Sequence, residues 1–290
     1  MFVWELKRQL KNALPGIVLY SMLIVGTILF FFFLDSKGWL AQELIKSMRR
    51  LPEMVTDGFV FLKSEELSSA MKGYLCLLLL IFLPVLYYAM MLPIHAFEYE
   101  EDMGTIIFTC NGKVSRRWIF WAKCSVSFFY YALGIIVWFL VSLILLVSYE
   151  DRVGKIRLLW QLVNIWISIF FIGIIMIALA ILYVSLKKKM AAAGDFSFYV
   201  IFVLTVIRLL PFILSFVSSV MFQFGYNIQV ITDIIQKLDA LGRGIILFWC
   251  NPLQTYMCPI ALWQIFICII AAVLIITAAD WCYERREFGV

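Results

Sequence analysis

The chain has 290 residues, of which 64% are hydrophobic and only 15% charged, with a formal net charge of +5. A soluble domain carries about a quarter charged residues, so this composition excludes an ordinary soluble fold and points to a polytopic membrane protein. The small positive excess suits a face resting on an anionic leaflet, whereas the scattered bases, with no basic tract interleaved with aromatics, exclude a nucleic-acid partner.

The first residues read MFVWELKRQLKNALPG, too charged for a cleavable signal peptide and without a small-residue cleavage site, so the first apolar segment is expected to be retained. Val3, Leu6, Leu10 and Leu14 share one helical face, while Glu5, Arg8, Gln9 and Asn12 point away. That pattern predicts a helix over 2–14 lying in the interface plane, with Pro15 marking the turn into the membrane.

A helix needs about 20 apolar residues to cross the hydrocarbon core. Six segments qualify: residues 15–34, 73–95, 120–147, 158–186, 196–220 and 259–279. The expected fold is therefore all-α, a single transmembrane domain of six spans with both termini on one side. Stripes at Leu40, Leu44, Met48 and Leu51, and at Ile228, Ile231, Ile235 and Leu238, predict two further amphipathic helices in the long loops. Each such helix either packs on the bundle or lies on the membrane surface.

Charge near the span ends sets orientation. The basic N-terminal segment and the Lys187-Lys188-Lys189 cluster favour termini inside, while the YEDRVGKIR turn at 149–157 argues the other way. Arg208 lies near the middle of the fifth predicted span, three residues before Pro211. A central Arg costs roughly 2.5–3.5 kcal/mol on insertion scales. It serves either a substrate path or subunit contact, or pairs with a carbonyl freed by the proline.

Chemistry for catalysis is missing. A phosphate-binding loop around Gly112-Lys113 would need Gly where Ile107 stands and Ser or Thr where Val114 stands. His95 is the only histidine. With Glu98 and Asp102 it shares a helical face at i, i+3 and i+7, yet a zinc helix needs two histidines around a Glu. The seven cysteines lack metal spacing and read as small hydrophobes; only Cys250 and Cys258 could share an exterior loop, as a disulfide or as free thiols. The chain is expected not to be an enzyme by itself.

The densest charge block lies between the second and third spans, EYEEDMGTIIFTCNGKVSRRW at 98–118. Glu98, Glu100, Glu101 and Asp102 lead, Gly104 and Thr105 follow, Ile106, Ile107 and Phe108 form an apolar patch, and Lys113, Ser115, Arg116 and Arg117 close it. This block resembles the first cytoplasmic loop of ATP-binding-cassette transporter permeases of the type-2 exporter family. The matching residues are Glu100, Glu101, Gly104, Thr105, Val114, Ser115, Arg116 and Lys123; Lys113 stands where the family often has proline. NPLQTY at 251–256 resembles the family's segment outside the last span, and YERREF at 283–288 resembles its basic ending.

The resemblance implies a short coupling helix that docks on a separate ATPase subunit, present in two copies. The chain itself would bind no cofactor; ATP and Mg would sit on the ATPase. A second permease subunit, identical or related, membrane lipids, and a bacterial cell membrane with cytoplasmic termini complete the expectation. An acid-rich start and a basic end suit the dipole of such a coupling helix. The apolar walls favour a lipid, drug or peptide as exported cargo. A different class of function stays open: a membrane sensor or immunity protein that binds a peptide through exterior loops 35–72 and 221–258.

Overall fold

The structure is a computed structural model that describes residues 2–36, 69–102, 115–147, 152–186, 195–203 and 261–285, with isolated positions between 206 and 237. Among them there are helices and no strands. Five long helices stand out: α1 (Phe2–Ser36), α2 (Ser69–Asp102), α3 (Arg116–Val147), α4 (Arg152–Leu186) and α5 (Leu262–Arg285).

Four stretches among the described residues, Phe2–Phe30, Arg116–Val147, Lys155–Leu186 and Leu262–Arg285, are long and apolar enough to cross a membrane. The chain is thus an all-helical, multi-pass membrane protein. The second predicted span, 73–95, lies within α2, a continuous helix of 34 residues. Of the fifth predicted span, 195–203 is helical and most of the rest lies outside the described residues, as do most of the two loop helices.

The helices pack as a chain of neighbours. α1 sits on α2 and α3; α4 contacts α2, α3 and α5; α5 lies against α4 and touches α3. Central α4 is accordingly buried on several sides, through Leu162, Ile165, Ile169, Ile172, Ile177 and Ile181. α5 buries one narrow stripe, Cys268, Ala272, Ile276, Ala279 and Tyr283. Their spacing of three and four residues is that of one helical face.

The N-terminal segment departs from expectation in two ways. No turn occurs at Pro15: α1 is a single helix of 35 residues that runs through it. Neighbouring helices supply donors to the surrounding backbone. Tyr130 Oη donates to the Leu6 carbonyl at 2.6 Å, Tyr88 Oη to the Ala13 carbonyl at 3.2 Å, and Trp138 Nε1 to the Ile17 carbonyl at 3.1 Å. These bonds fasten α1 to α2 and α3 on both sides of Pro15.

The second departure concerns which face is buried. Val3, Leu10 and Leu14 are 63%, 43% and 51% exposed, whereas Glu5 and Gln9 are 0% and 4% exposed. The buried stripe runs Glu5, Gln9, Ala13, Ile17, Tyr20, Ile24 and Ile28. Lipid is as apolar as leucine, so burying Val3 or Leu10 in protein gains little. Hydrogen bonding and close packing select the inner face instead.

Two glycines permit that close packing. A Cβ at Gly16 would collide with the ring of Tyr88, and one at Gly173 with the ring and hydroxyl of Tyr131. Tyr131 Oη donates to the Ile169 carbonyl at 2.8 Å. Tyr20, Tyr88 and Trp138 form an edge-on trio with centroids 5.4–5.8 Å apart. Three buried serines are satisfied within their own helices: Ser127 donates to the Lys123 carbonyl, Ser142 to that of Trp138 and Ser168 to that of Asn164. They are packing elements, not a polar path.

Candidate functional site

The start of α1, the end of α2, the start of α3 and the end of α5 meet at one end of the bundle. That end holds both described flanks of the charge block. Phe97 of α2, Phe120 of α3 and Tyr283 of α5 form a closed aromatic triad with centroids 5.4–5.9 Å apart. All three are fully buried. Lys123 is buried beside them, its ammonium 4.8 Å from the Phe97 ring centroid. A desolvated cation over an aromatic face is stabilised by about 2 kcal/mol.

Ion pairs surround the triad. Arg117 Nη2 donates to Glu284 Oε2 at 2.8 Å, and Arg117 Nε lies 3.7 Å from Asp280 Oδ2. This ties the start of α3 to the end of α5. On the other side, the buried Glu5 carboxylate accepts from Arg8 and, at 2.7 Å, from Gln9 Nε2. Arg8 also donates to the Ala96 carbonyl at 3.0 Å, tying α1 to α2.

The predicted site residues divide as follows. Glu98 is half-buried on α2, with Oε2 3.8 Å from His95 Nδ1. Glu100, Glu101 and Asp102 lie in the last turn of α2, where only their backbone is described. Ser115 is the N-cap of α3: its Oγ accepts from the Trp118 amide at 3.5 Å and its carbonyl from the Ile119 amide at 3.3 Å. Arg116 is exposed in the first turn. Gly104, Thr105, Ile107, Phe108 and Arg208, like Cys250 and Cys258, lie outside the described residues.

The acidic cluster stands on a long helix. It belongs to the C-terminal turns of α2, as Arg116 and Arg117 belong to the N-terminal turn of α3. Both placements oppose the helix dipoles, costing roughly 0.3–1 kcal/mol per charge near a terminus. Partners from outside the helix offset part of this. Arg8 caps a carbonyl near the end of α2, and the carboxylates of α5 meet Arg117. Both helices nonetheless include these charged residues, α2 continuing past Pro93.

Sequence reasoning assigned no site role to Phe97, Phe120, Tyr283 or Asp280, placed Glu5 on an outward polar face, and gave Lys123 only as a residue of the family block entering the third span. A signal for some of these was present. Asp280 and Glu284 are spaced i, i+4 at the end of the last apolar run, and Lys123 falls inside another. No spacing within one helix could reveal that three aromatics from three helices converge.

Exposed tryptophans mark two levels. Trp4, Trp118, Trp121 and Trp281 ring the end just described; Trp160 and Trp263 lie at the other. Trp263 and Trp281, on one helix, are separated by about 27 Å at 1.5 Å per residue, close to the hydrocarbon thickness of about 30 Å. These are interfacial belts of the kind that fix helices in a bilayer. No protein-family model matches the chain, and no curated protein matches it.

Proposed function

We propose that the chain is the transmembrane permease subunit of an ATP-binding-cassette exporter resembling the type-2 family. In this reading it has six spans in a bacterial cell membrane, with the triad end and both termini in the cytosol. The block from Glu98 to Arg116 forms the contact for a separate ATPase, present in two copies, which binds ATP and Mg. A second permease subunit, identical or related, completes the passage for a hydrophobic or amphipathic cargo.

The observation that carries this reading is the root of the charge block. Phe97, Phe120 and Tyr283 lock its two flanks to each other and to the last helix, and Arg117 adds a second tie to α5. A push on the segment between Asp102 and Ser115 would therefore move three helices together, as a transmitted two-state change requires. Cation placement supports the orientation. Lys7, Arg8, Lys11, Arg116, Arg117 and Arg285 lie at the triad end, against Lys155 and Arg157 at the other among residues with described side chains. Excess Lys and Arg mark the cytosolic side.

The test is recovery of an ATPase with the tagged chain from its native membrane. Glu101→Lys and Gly104→Trp should each abolish that recovery while leaving chain abundance unchanged. Full function without any ATPase would overturn the reading in favour of a peptide-binding sensor.

A further inference from the structure

A groove runs between α1 and α2 on the lipid-facing side of the bundle. Its inner part, about 290 Å³, is lined by Gly16, Leu19, Tyr20, Tyr87, Met91 and Leu92, among others. Its outer part, about 380 Å³, is lined by Trp4, Lys7, Arg8, Lys11, Asn12 and His95, with Gln9. Gln9, Asn12 and His95 line both, so the two parts are continuous. Among the described residues, no carboxylate lines either part.

Polarity falls steadily along this groove. Three cations stand at the outer end, amide and imidazole groups in the middle, and aliphatic and phenolic side chains beyond. Arg8 is engaged by Glu5 and the Ala96 carbonyl, and stacks 5.1 Å from the Trp4 ring centroid. Lys7 and Lys11 are exposed and have no ion-pair partner among the described residues. They sit at i, i+4 on one face of α1, where like charges repel unless an anion bridges them. Trp4 places them at the headgroup level. From Lys7 to Leu19 the groove spans about 18 Å of helix at 1.5 Å per residue, a length that suits an acyl chain.

We infer that this groove is a binding site for one anionic phospholipid of the adjacent leaflet, its phosphate held by Lys7 and Lys11 and one acyl chain lying along Leu19 and Met91. Charge complementarity selects the anionic headgroup, and basic pockets between membrane helices are suited to such lipids. The apolar inner half selects a lipid over free phosphate. Binding at this site does not depend on an ATPase partner.

The test reconstitutes the full chain with phosphatidylglycerol or phosphatidylcholine and measures lipid retained after detergent extraction by native mass spectrometry. Phosphatidylglycerol should be retained in about one copy per chain, in preference to phosphatidylcholine. Lys7→Gln with Lys11→Gln should lower that retention about thirtyfold, since each surface cation contributes ~1 kcal/mol toward an anionic lipid. Both lysines are exposed, so folding is not at stake, and the paired Arg variants should keep the lipid. Lys155→Gln with Arg157→Gln, the same charge change at the far end, should leave retention unchanged. Equal retention of the two lipids, equal loss in both double variants, or displacement by millimolar inorganic phosphate would overturn the proposal. Density for a second copy of the chain, or for a segment of this one, in the groove would also overturn it.

Discussion

The two ends of the helical bundle are built differently. At the triad end, four helix termini are cross-linked by rings, ion pairs and side-chain bonds to backbone carbonyls. At the other end, Trp160 and Trp263 are exposed and Ile156 and Leu262 stand open. The chief polar tie described toward that side is Tyr74 Oη, which donates to Ser142 Oγ at 3.0 Å within the interior. Among the described residues, one end is therefore fastened by rings and ion pairs, while the other shows exposed aliphatic and aromatic side chains beside Lys155 and Arg157. The fastened end is also where charge placement conflicts with the helix dipoles. Local conflicts inside an otherwise consistent fold are expected where function overrides local preference.

The largest effect expected from this contrast is categorical. Single cysteines replacing Trp118 and Trp160 should react with a membrane-impermeant maleimide from opposite faces of sealed cells. Reaction of both from one face would dissolve the comparison and the span assignment with it.

Next comes stability. Phe97→Ala removes a fully buried ring from the triad and should destabilise the detergent-solubilised protein by on the order of 3 kcal/mol. Trp263→Ala, at the other end, should move the unfolding midpoint hardly at all, because that ring faces lipid. Similar losses in the two variants would show that the ends are equally fastened.

The smallest effect sharpens the picture. Arg117 and Glu284 are both well exposed, so their coupling in a double-mutant cycle should be about 0.2–1 kcal/mol, weakening in high salt. A coupling of zero would leave the triad as the sole measured tie between α3 and α5.

Much of this was legible in the sequence, and for a definable reason. Long apolar runs must become helices in lipid because every backbone amide and carbonyl has to be satisfied within its own segment. Residues 120–147 and 158–186 accordingly fall in α3 and α4, and residues 262–279 of the last predicted span in α5. Ser115, read in the sequence only as a residue of the family block, caps α3 in the structure. The helix ends were less legible. α2 and α3 extend several residues beyond the apolar runs, carrying charges on the wrong poles, because tertiary partners stabilise those turns.

What the sequence determined alone is the material of the protein: apolar helices, their order, and a sign-segregated charge block between two of them. Only the tertiary structure decided which face of each helix turns inward. Hydrophobicity separates inside from outside in water, but in a bilayer both sides of a helix meet apolar surroundings. The choice falls to shape and hydrogen bonding. That is why Glu5 and Gln9 turn into the bundle while Val3, Leu10 and Leu14 face out, and why Lys123 lies buried against Phe97.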